Sequence, residues 1–294
     1  MATRELSGLP NMLGLFARAG VGLVPGSSRL PLVGGSRGED VPDLTLALED
    51  VEIDRDRVSS YDRVCAFDIA DTLPPSYLHI LAFPLQLSLM TDPSFPFPAI
   101  GLVHIYNKIT QNRPLSLTER VSLRVWATPL EPHPRGSQFS LRTEARVGEE
   151  LVWEETSVNL RRGSRGASDS ASAPDVSSTE DLESNATWEL EGDLGRRYGA
   201  VSGDLNPIHV HPLTARLFGF PSAIAHGMWT KARCLAALEP RLPDSFTVEA
   251  AFRKPILLPA TVEFASSESG AQTRFGVRDA VKRTSHLDGI VNPS

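Results

Sequence analysis

The densest group of reactive side chains in the sequence is Gly203-Asp204-Leu205-Asn206-Pro207-Ile208-His209, with Ala225-His226-Gly227 a short distance beyond. Gly, Asp, Asn and Pro are the commonest turn residues, so a plain turn accounts for Gly203 to Pro207. It does not account for His209 beyond the proline, or for a second element at the start of a helix. A tight turn through Asn206-Pro207 folds Asp204 and His209 back so that both side chains grip one water. An imidazole that titrates near neutrality and a carboxylate are a matched pair for moving protons in one site. The helix start at Gly227 offers free backbone N–H groups and the positive end of a helix dipole. Gly227 also has no side chain to block a carbonyl oxygen approaching its N–H. Such a donor polarises a carbonyl and stabilises enolate-like charge. A base, an acid and an oxyanion donor thus fall between Asp204 and Gly227.

The other histidines read as structural. His211 is a structural or exposed residue, His226 helps hold the helix start, and His79 and His104 lie on apolar elements as hydrogen-bonded core residues. Cys65 and Cys234 belong to no Cys/His cluster, which fits two free thiols in a reducing compartment. There is no metal-ligand spacing, P-loop or G-x-G-x-x-G, so no metal and no cofactor are expected. Gly34-Gly35-Ser36-Arg37-Gly38 fits the G-x-S-x-G pattern of esterases. The "EDVPD" that follows does not start the helix that a nucleophile elbow needs.

Composition narrows the partners. The 294 residues are 41% hydrophobic and 22% charged, with a formal net charge of -7 and no basic stripe, so no nucleic-acid partner is expected. Acidic substrates are compatible with a local basic rim, for which Arg196, Arg197, Arg233, Arg253 and Lys254 are candidates, although each reads first as a solvated charge. The N-terminus lacks the pattern of a signal peptide. No run approaches the roughly 18 apolar residues of a membrane span, so a cytoplasmic protein without stable membrane insertion is expected.

The elements that must position the site fall into two halves. Residues 1–42 are Pro/Gly-rich and read as an extended arm, and residues 163–185 read as a flexible Ser/Ala/Asp-rich linker. Between them, "SYLHILAFPLQLSLM" (Ser76 to Met90) is apolar on nearly all sides, which predicts a buried helix, kinked at Pro84. Period-two segments at 100–107, 120–127, 138–146 and 151–160 predict strands. The second half repeats this order, with a helix over Gly227 to Leu238 and strands at 246–252, 261–266 and 273–278. "RPLSLTERVSL" (Arg113 to Leu123) aligns without a gap on "KPILLPATVEF" (Lys254 to Phe264). The chain therefore reads as two copies of one unit, a long helix wrapped by an antiparallel sheet, over residues 43–162 and 186–294.

The run "YGAVSGDLNPIHVHPLTARLFGFPSAIAHG" closely resembles the hydratase 2 motif of MaoC-like enoyl-thioester hydratases, which are hotdog-fold proteins. The resemblance implies that Asp204 and His209 are the catalytic pair, that Asn206 holds the turn, and that the Gly227 N–H is the oxyanion donor. With "CAFDIADTLPPSYLHILAFPLQLSLMTDPSFPFPAIGLVHIYN" (Cys65 to Asn107), the whole chain resembles double-hotdog 3-hydroxyacyl-thioester dehydratases of actinobacteria. That implies an α+β double hotdog and reversible syn addition of water to a trans-2-enoyl thioester, giving the (3R)-hydroxyacyl product. The substrate would be carried on coenzyme A or acyl carrier protein, with no further cofactor, by a monomeric pseudo-dimer or a homodimer. Aligning Tyr61-x-x-Val64 with Tyr198-x-x-Val201 puts Phe67 opposite Asp204, and nothing replaces His209. The first repeat is then catalytically silent, with residues 186–294 as the catalytic repeat. The sequence leaves two alternatives open, a hotdog-fold acyl-thioester hydrolase and a non-catalytic acyl-thioester-binding protein.

Overall fold

A computed structural model describes residues 2–21, 40–163 and 176–294. In chain order the elements of the first half are β1 (Ala2–Glu5), α1 (Met12–Val21), β2 (Leu44–Val51), α2 (Arg55–Cys65), α3 (Tyr77–Met90) and β3 (Val103–Gln111). They continue through β4 (Val121–Ala127), β5 (Glu131–His133), β6 (Gly136–Val147) and β7 (Glu150–Arg162). The second half holds β8 (Ser184–Leu190), α4 (Leu194–Ser202), α5 (Pro207–Val210), α6 (Pro212–Leu217) and α7 (Gly227–Leu238). It closes with β9 (Phe246–Phe252), β10 (Ala260–Ser269), β11 (Gln272–Asp279) and β12 (Ser285–Pro293).

The chain forms two compact units that cut across the halves of the sequence. One comprises Met1–Glu52, Leu78–Ile105 and Arg120–Ala173; the other comprises Ile53–Tyr77, Tyr106–Glu119 and Pro174–Ser294. In the first, β2, β4, β6 and β7 pair antiparallel in that order, with β1 added in parallel outside β2. The helix α3 is apolar all round and is buried on nearly every side, as its composition predicts. Its polar members are satisfied from the sheet. His79 Nδ1 lies 2.7 Å from Glu155 Oε1, and Gln86 Nε2 donates to Glu155 Oε2 at 2.9 Å and to Thr143 Oγ1 at 3.1 Å. In β4 the sequence VSLRVWA buries every second residue, the expected period of a half-buried strand.

In the second unit, residues 106–111 of β3 pair antiparallel with β9, which continues through β12, β11 and β10 to β8. Its helix is α7, whose Met228, Trp229, Ala232, Leu235 and Leu238 are buried. Lys231, on the same helix, is fully buried, and its ammonium donates to Asn107 Oδ1 at 2.5 Å and to the carbonyls of Asn107 and Val248, both at 3.2 Å. One long helix against an antiparallel sheet, present twice, is the α+β double hotdog.

The matched sequences make matched contacts. Ser116 bridges Thr72 and Leu257 bridges Ile224; Thr72 and Ile224 each stand just ahead in sequence of a long helix, α3 and α7 respectively. The Leu73 N–H bonds the Leu115 carbonyl and the Ala225 N–H bonds the Ile256 carbonyl, at 2.8 and 3.0 Å. Leu115 and Ile256 are equivalent in the gapless alignment of the two sequences. Two copies of one motif therefore build the same local bridge.

Two segments differ from the expected loops. The arm is not extended throughout, since residues 2–21 hold a strand and a helix with Leu15 and Ala19 buried. Its Pro/Gly-rich part, including Gly34 to Gly38, lies in residues 22–39, outside the described residues. The later part of the 163–185 segment is held against the second unit's sheet. Thr179 donates from its N–H and Oγ1 to Asp288 Oδ1 at 3.0 and 2.6 Å, and Arg278 donates to the Leu182 carbonyl at 2.8 Å. Charged and polar bonds, together with the buried Val176 and Leu182, fix this stretch, although its overall composition is poor in large apolar residues.

Candidate active site

The helix α4 ends at Gly203, whose left-handed backbone (φ 83°) returns its N–H to the Gly199 carbonyl and turns the chain toward Asp204. From there each side chain fixes the next backbone step. The Asp204 N–H donates to Ser202 Oγ at 3.1 Å, Asp204 Oδ1 accepts the Asn206 N–H at 3.1 Å, and Asn206 Oδ1 accepts the Ile208 N–H at 3.4 Å. Pro207 opens α5 with the φ a helix start requires, and the Asn206 carbonyl accepts the His209 N–H at 2.9 Å. Asn206 thus caps the one-turn helix that carries His209, as the turn chemistry predicts.

The same chain ends up close against α4. A Cβ at Gly195 would overlap the His209 carbonyl oxygen, and one at Gly199 would sit 2.9 Å from the Asp204 carbonyl oxygen. These glycines are one turn apart, on one face of α4, so the missing side chains are the space the segment occupies. The sequence carries this signal as glycines four apart ahead of Gly203.

Asp204 and His209 come together, with His226 as a third partner. One donor atom from each of the three lies within 4.8 Å of the others. The His209 Nδ1 is 2.8 Å from the Ile224 carbonyl oxygen. A carbonyl only accepts, so Nδ1 carries the proton and Nε2 is the basic nitrogen. Burial lowers the His209 pKa below the ordinary imidazole range, against the opposing effects of the Asp204 carboxylate and the Ile224 carbonyl. The imidazole is therefore held neutral. Asp204 Oδ1 is occupied by the turn, and its side chain keeps 26% of its exposure.

Sequence reasoning gave His226 only the task of holding the helix start. Its side chain makes no capping bond; instead Nε2 donates to the Asp204 carbonyl at 3.0 Å and lies 3.7 Å from Asp204 Oδ2. Its ring stacks on His209 with centroids 3.7 Å apart and meets Tyr198 at 4.8 Å. Burial, and then the neighbouring His209, push its pKa well below the usual value. His226 is thus a neutral plate against which His209 rests. The stacking also bears on metal binding. Lone pairs lie in the ring planes, and two stacked imidazoles aim them alongside one another rather than at a common centre about 2.1 Å from each.

Gly227 opens α7 directly after His226, leaving first-turn N–H groups without helical acceptors. A Cβ at this glycine would lie 3.0 Å from the Phe252 ring, so packing on β9 leaves little room for a side chain here. His211 caps α6 by accepting the Leu213 N–H at 3.1 Å and takes no part in the cluster. Of the candidate basic rim, Arg197 pairs with Glu191 and Asp193, Arg253 pairs with Asp288, and Arg233 lies 4.4 Å over the Trp188 ring. Arg196 and Lys254 are exposed.

The MaoC like domain matches residues 178–290. The chain belongs to this family of hydro-lyases. It is 36% identical over 97% of its length to 3-hydroxyacyl-thioester dehydratase X of Mycobacterium tuberculosis, covering 98% of that protein. The crystal structure of HtdX from the same organism matches with a TM-score of 0.76 and 35% identity, over 85% of this chain and 100% of that one. A MaoC-like dehydratase from Phytophthora capsici matches at TM-score 0.70 and 16% identity, over 90% of this chain and 98% of that one, a likeness of fold alone. Among the described residues, no helix is long and apolar enough to cross a membrane.

Proposed function

We propose that the protein is a (3R)-hydroxyacyl-thioester dehydratase and trans-2-enoyl-thioester hydratase of fatty-acid metabolism, acting in the cytoplasm, with Asp204 and His209 as its catalytic pair. The observation that carries this reading is the pairing of a proton-accepting Nε2 on His209 with the Asp204 carboxylate. The two sit within 4.8 Å, inside the span of one bridging water that donates a hydrogen bond to each. In hydration that water attacks the β carbon while His209 Nε2 takes its proton. The imidazolium returns the proton to the α carbon on the same side, so hydroxyl and hydrogen add syn, and dehydration is the reverse. Asp204 orients the water and stabilises the imidazolium. The first-turn N–H of Gly227 receives the thioester oxygen as enolate charge develops. The thioester is carried on coenzyme A or acyl carrier protein and no other cofactor enters the reaction. The two repeats, 43–162 and 186–294, then act as a pseudo-dimer with one working site.

An ultraviolet assay of enoyl-CoA hydration, run beside a thiol-release assay, tests this reading. Hydration by the wild-type protein without thiol release supports it. Thiol release without hydration points to a thioesterase, and neither activity points to an acyl-thioester binder; both results contradict the proposal.

A further inference from the structure

The helix α2 comes from the repeat that lacks the Asp/His pair, yet it belongs to the unit that holds the pair. Asp54 caps its start by accepting the N–H groups of Asp56 and Arg57. The Arg57 side chain then reaches the far end of α4, where Nε donates to the Val201 carbonyl at 3.0 Å and Nη2 to the Ser202 carbonyl at 3.3 Å. These are among the last carbonyls of α4, which have no acceptor role left inside a helix that stops at Gly203. A cation is favoured at a helix C-terminus, and a planar guanidinium bridges two adjacent oxygens as an ammonium does not. Asp204 follows two residues later, and its N–H is bonded to Ser202 Oγ.

The same helix is tied to the other side of the site. Trp229 Nε1 donates to the Val64 carbonyl at 2.9 Å, joining α2 to α7 two residues beyond Gly227. Midway, the Tyr61 ring packs 6.1 Å from Tyr198, whose ring touches His226. One helix therefore holds both the end of α4, which leads into Asp204, and the start of α7, which offers the N–H.

We infer that Arg57 is a positioning residue for the reaction: it fixes the end of α4, and so sets where the Asp204 carboxylate stands relative to His209 and Gly227. This rests on the reading of Asp204 and His209 as the catalytic pair. The repeat without the pair then has a task in the chemistry, as the clamp on its partner's catalytic turn.

The test is steady-state enoyl-CoA hydration with melting temperatures for Arg57→Ala, Arg57→Lys and, as a control within α2, Ser60→Ala. A carboxylate displaced by about an ångström from productive geometry costs up to about 10²-fold in rate. Arg57→Ala is expected to lose kcat on that scale, with KM held and the acid limb of the pH profile moved, and guanidinium at low concentration is expected to restore part of the rate. Ser60→Ala is expected to keep all three. If Arg57→Ala melts early, Arg57→Lys decides: reduced kcat at an unchanged melting temperature supports the inference. Wild-type kcat and pH profile in Arg57→Lys and in a folded Arg57→Ala overturn it. Retained activity in Asp204→Asn and His209→Ala, by contrast, would overturn the reading of the pair itself.

Discussion

The helices α2 and α4 end alike and lead to opposite outcomes. Each stops at a residue in the left-handed region, Ala66 at φ 60° and Gly203 at φ 83°, and each cap returns its N–H to the helix. After Ala66 comes Phe67, buried and stacked on Tyr61 at 6.2 Å. After Gly203 comes Asp204, half-buried beside His209 and His226. The matched bridges extend the comparison to the helix starts. Leu73 and Ala225 make equivalent bonds, so Pro74 and Pro75 stand where the second copy has His226 and Gly227. A proline has no N–H to offer a carbonyl oxygen. The first copy thus shares these backbone turns, with a ring where the second has the Asp204 carboxylate and a proline where it has Gly227. What differs is the side chains placed between two like backbone turns.

The largest expected effect separates the two caps by what each is for. Asp204→Asn is expected to lower hydration by at least about 10²-fold with little change in melting temperature, because the charge that orients the water and stabilises the imidazolium is lost. Phe67→Ala is expected to do the reverse, costing about 3 kcal/mol of stability as a buried ring is lost, with kcat near wild type in the folded fraction. Loss of chemistry in the Phe67 variant at full stability would break the comparison.

Next comes Gly195→Ala. Helix propensity alone favours alanine at this place by about 1 kcal/mol. The overlap with the His209 carbonyl predicts instead a fall in kcat of about 10²-fold, because the α5 turn must move away from Asp204. An active, more stable variant would mean that the close approach is not needed.

A smaller effect concerns pH. His209 must be unprotonated to accept a proton, and burial depresses its pKa in the folded protein. The acid limb of kcat/KM is therefore expected below about 6.5, the ordinary imidazole value. Stability should fall over the same interval, because His209 and His226 take up protons more readily unfolded. An acid limb above the ordinary value would contradict a neutral, half-buried base.

The smallest effect is at the caps themselves. Ala66→Gly relieves a non-glycine left-handed residue and is expected to stabilise by up to about 1 kcal/mol, whereas Gly203→Ala is expected to destabilise by a similar amount. Chemical denaturation of both variants measures the pair. Equal signs would show that the two caps are not equivalent.

The sequence made some of this legible and hid the rest for identifiable reasons. The α7 range Gly227–Leu238 and the β9 range Phe246–Phe252 follow directly from apolar periodicity and a proline stop. The helices α2 and α4 are short and low in apolar content, and α4 carries two glycines, which make room for the Asp204–His209 turn rather than favour the helix. The strand β12 contains Asp288 and Gly289, poor strand formers. Asp288 is buried against Arg253, and a Cβ at Gly289 would strike the Phe275 ring. Asp204 and Asn206 are legible because their bonds are local turn chemistry, and His209 because it stands just beyond that turn where the turn alone does not explain it. His226 and Arg57 act through carbonyls 22 and 144 residues away in sequence, where no spacing rule reaches.

The most direct test of the account is the rate at which His209→Ala hydrates a trans-2-enoyl-CoA, measured on protein whose melting temperature matches wild type. With one working site, and Nε2 of His209 as its base, the rate is expected to fall by about 10²–10⁴-fold. A rate near that of wild type would place the chemistry elsewhere in the molecule and contradict the account.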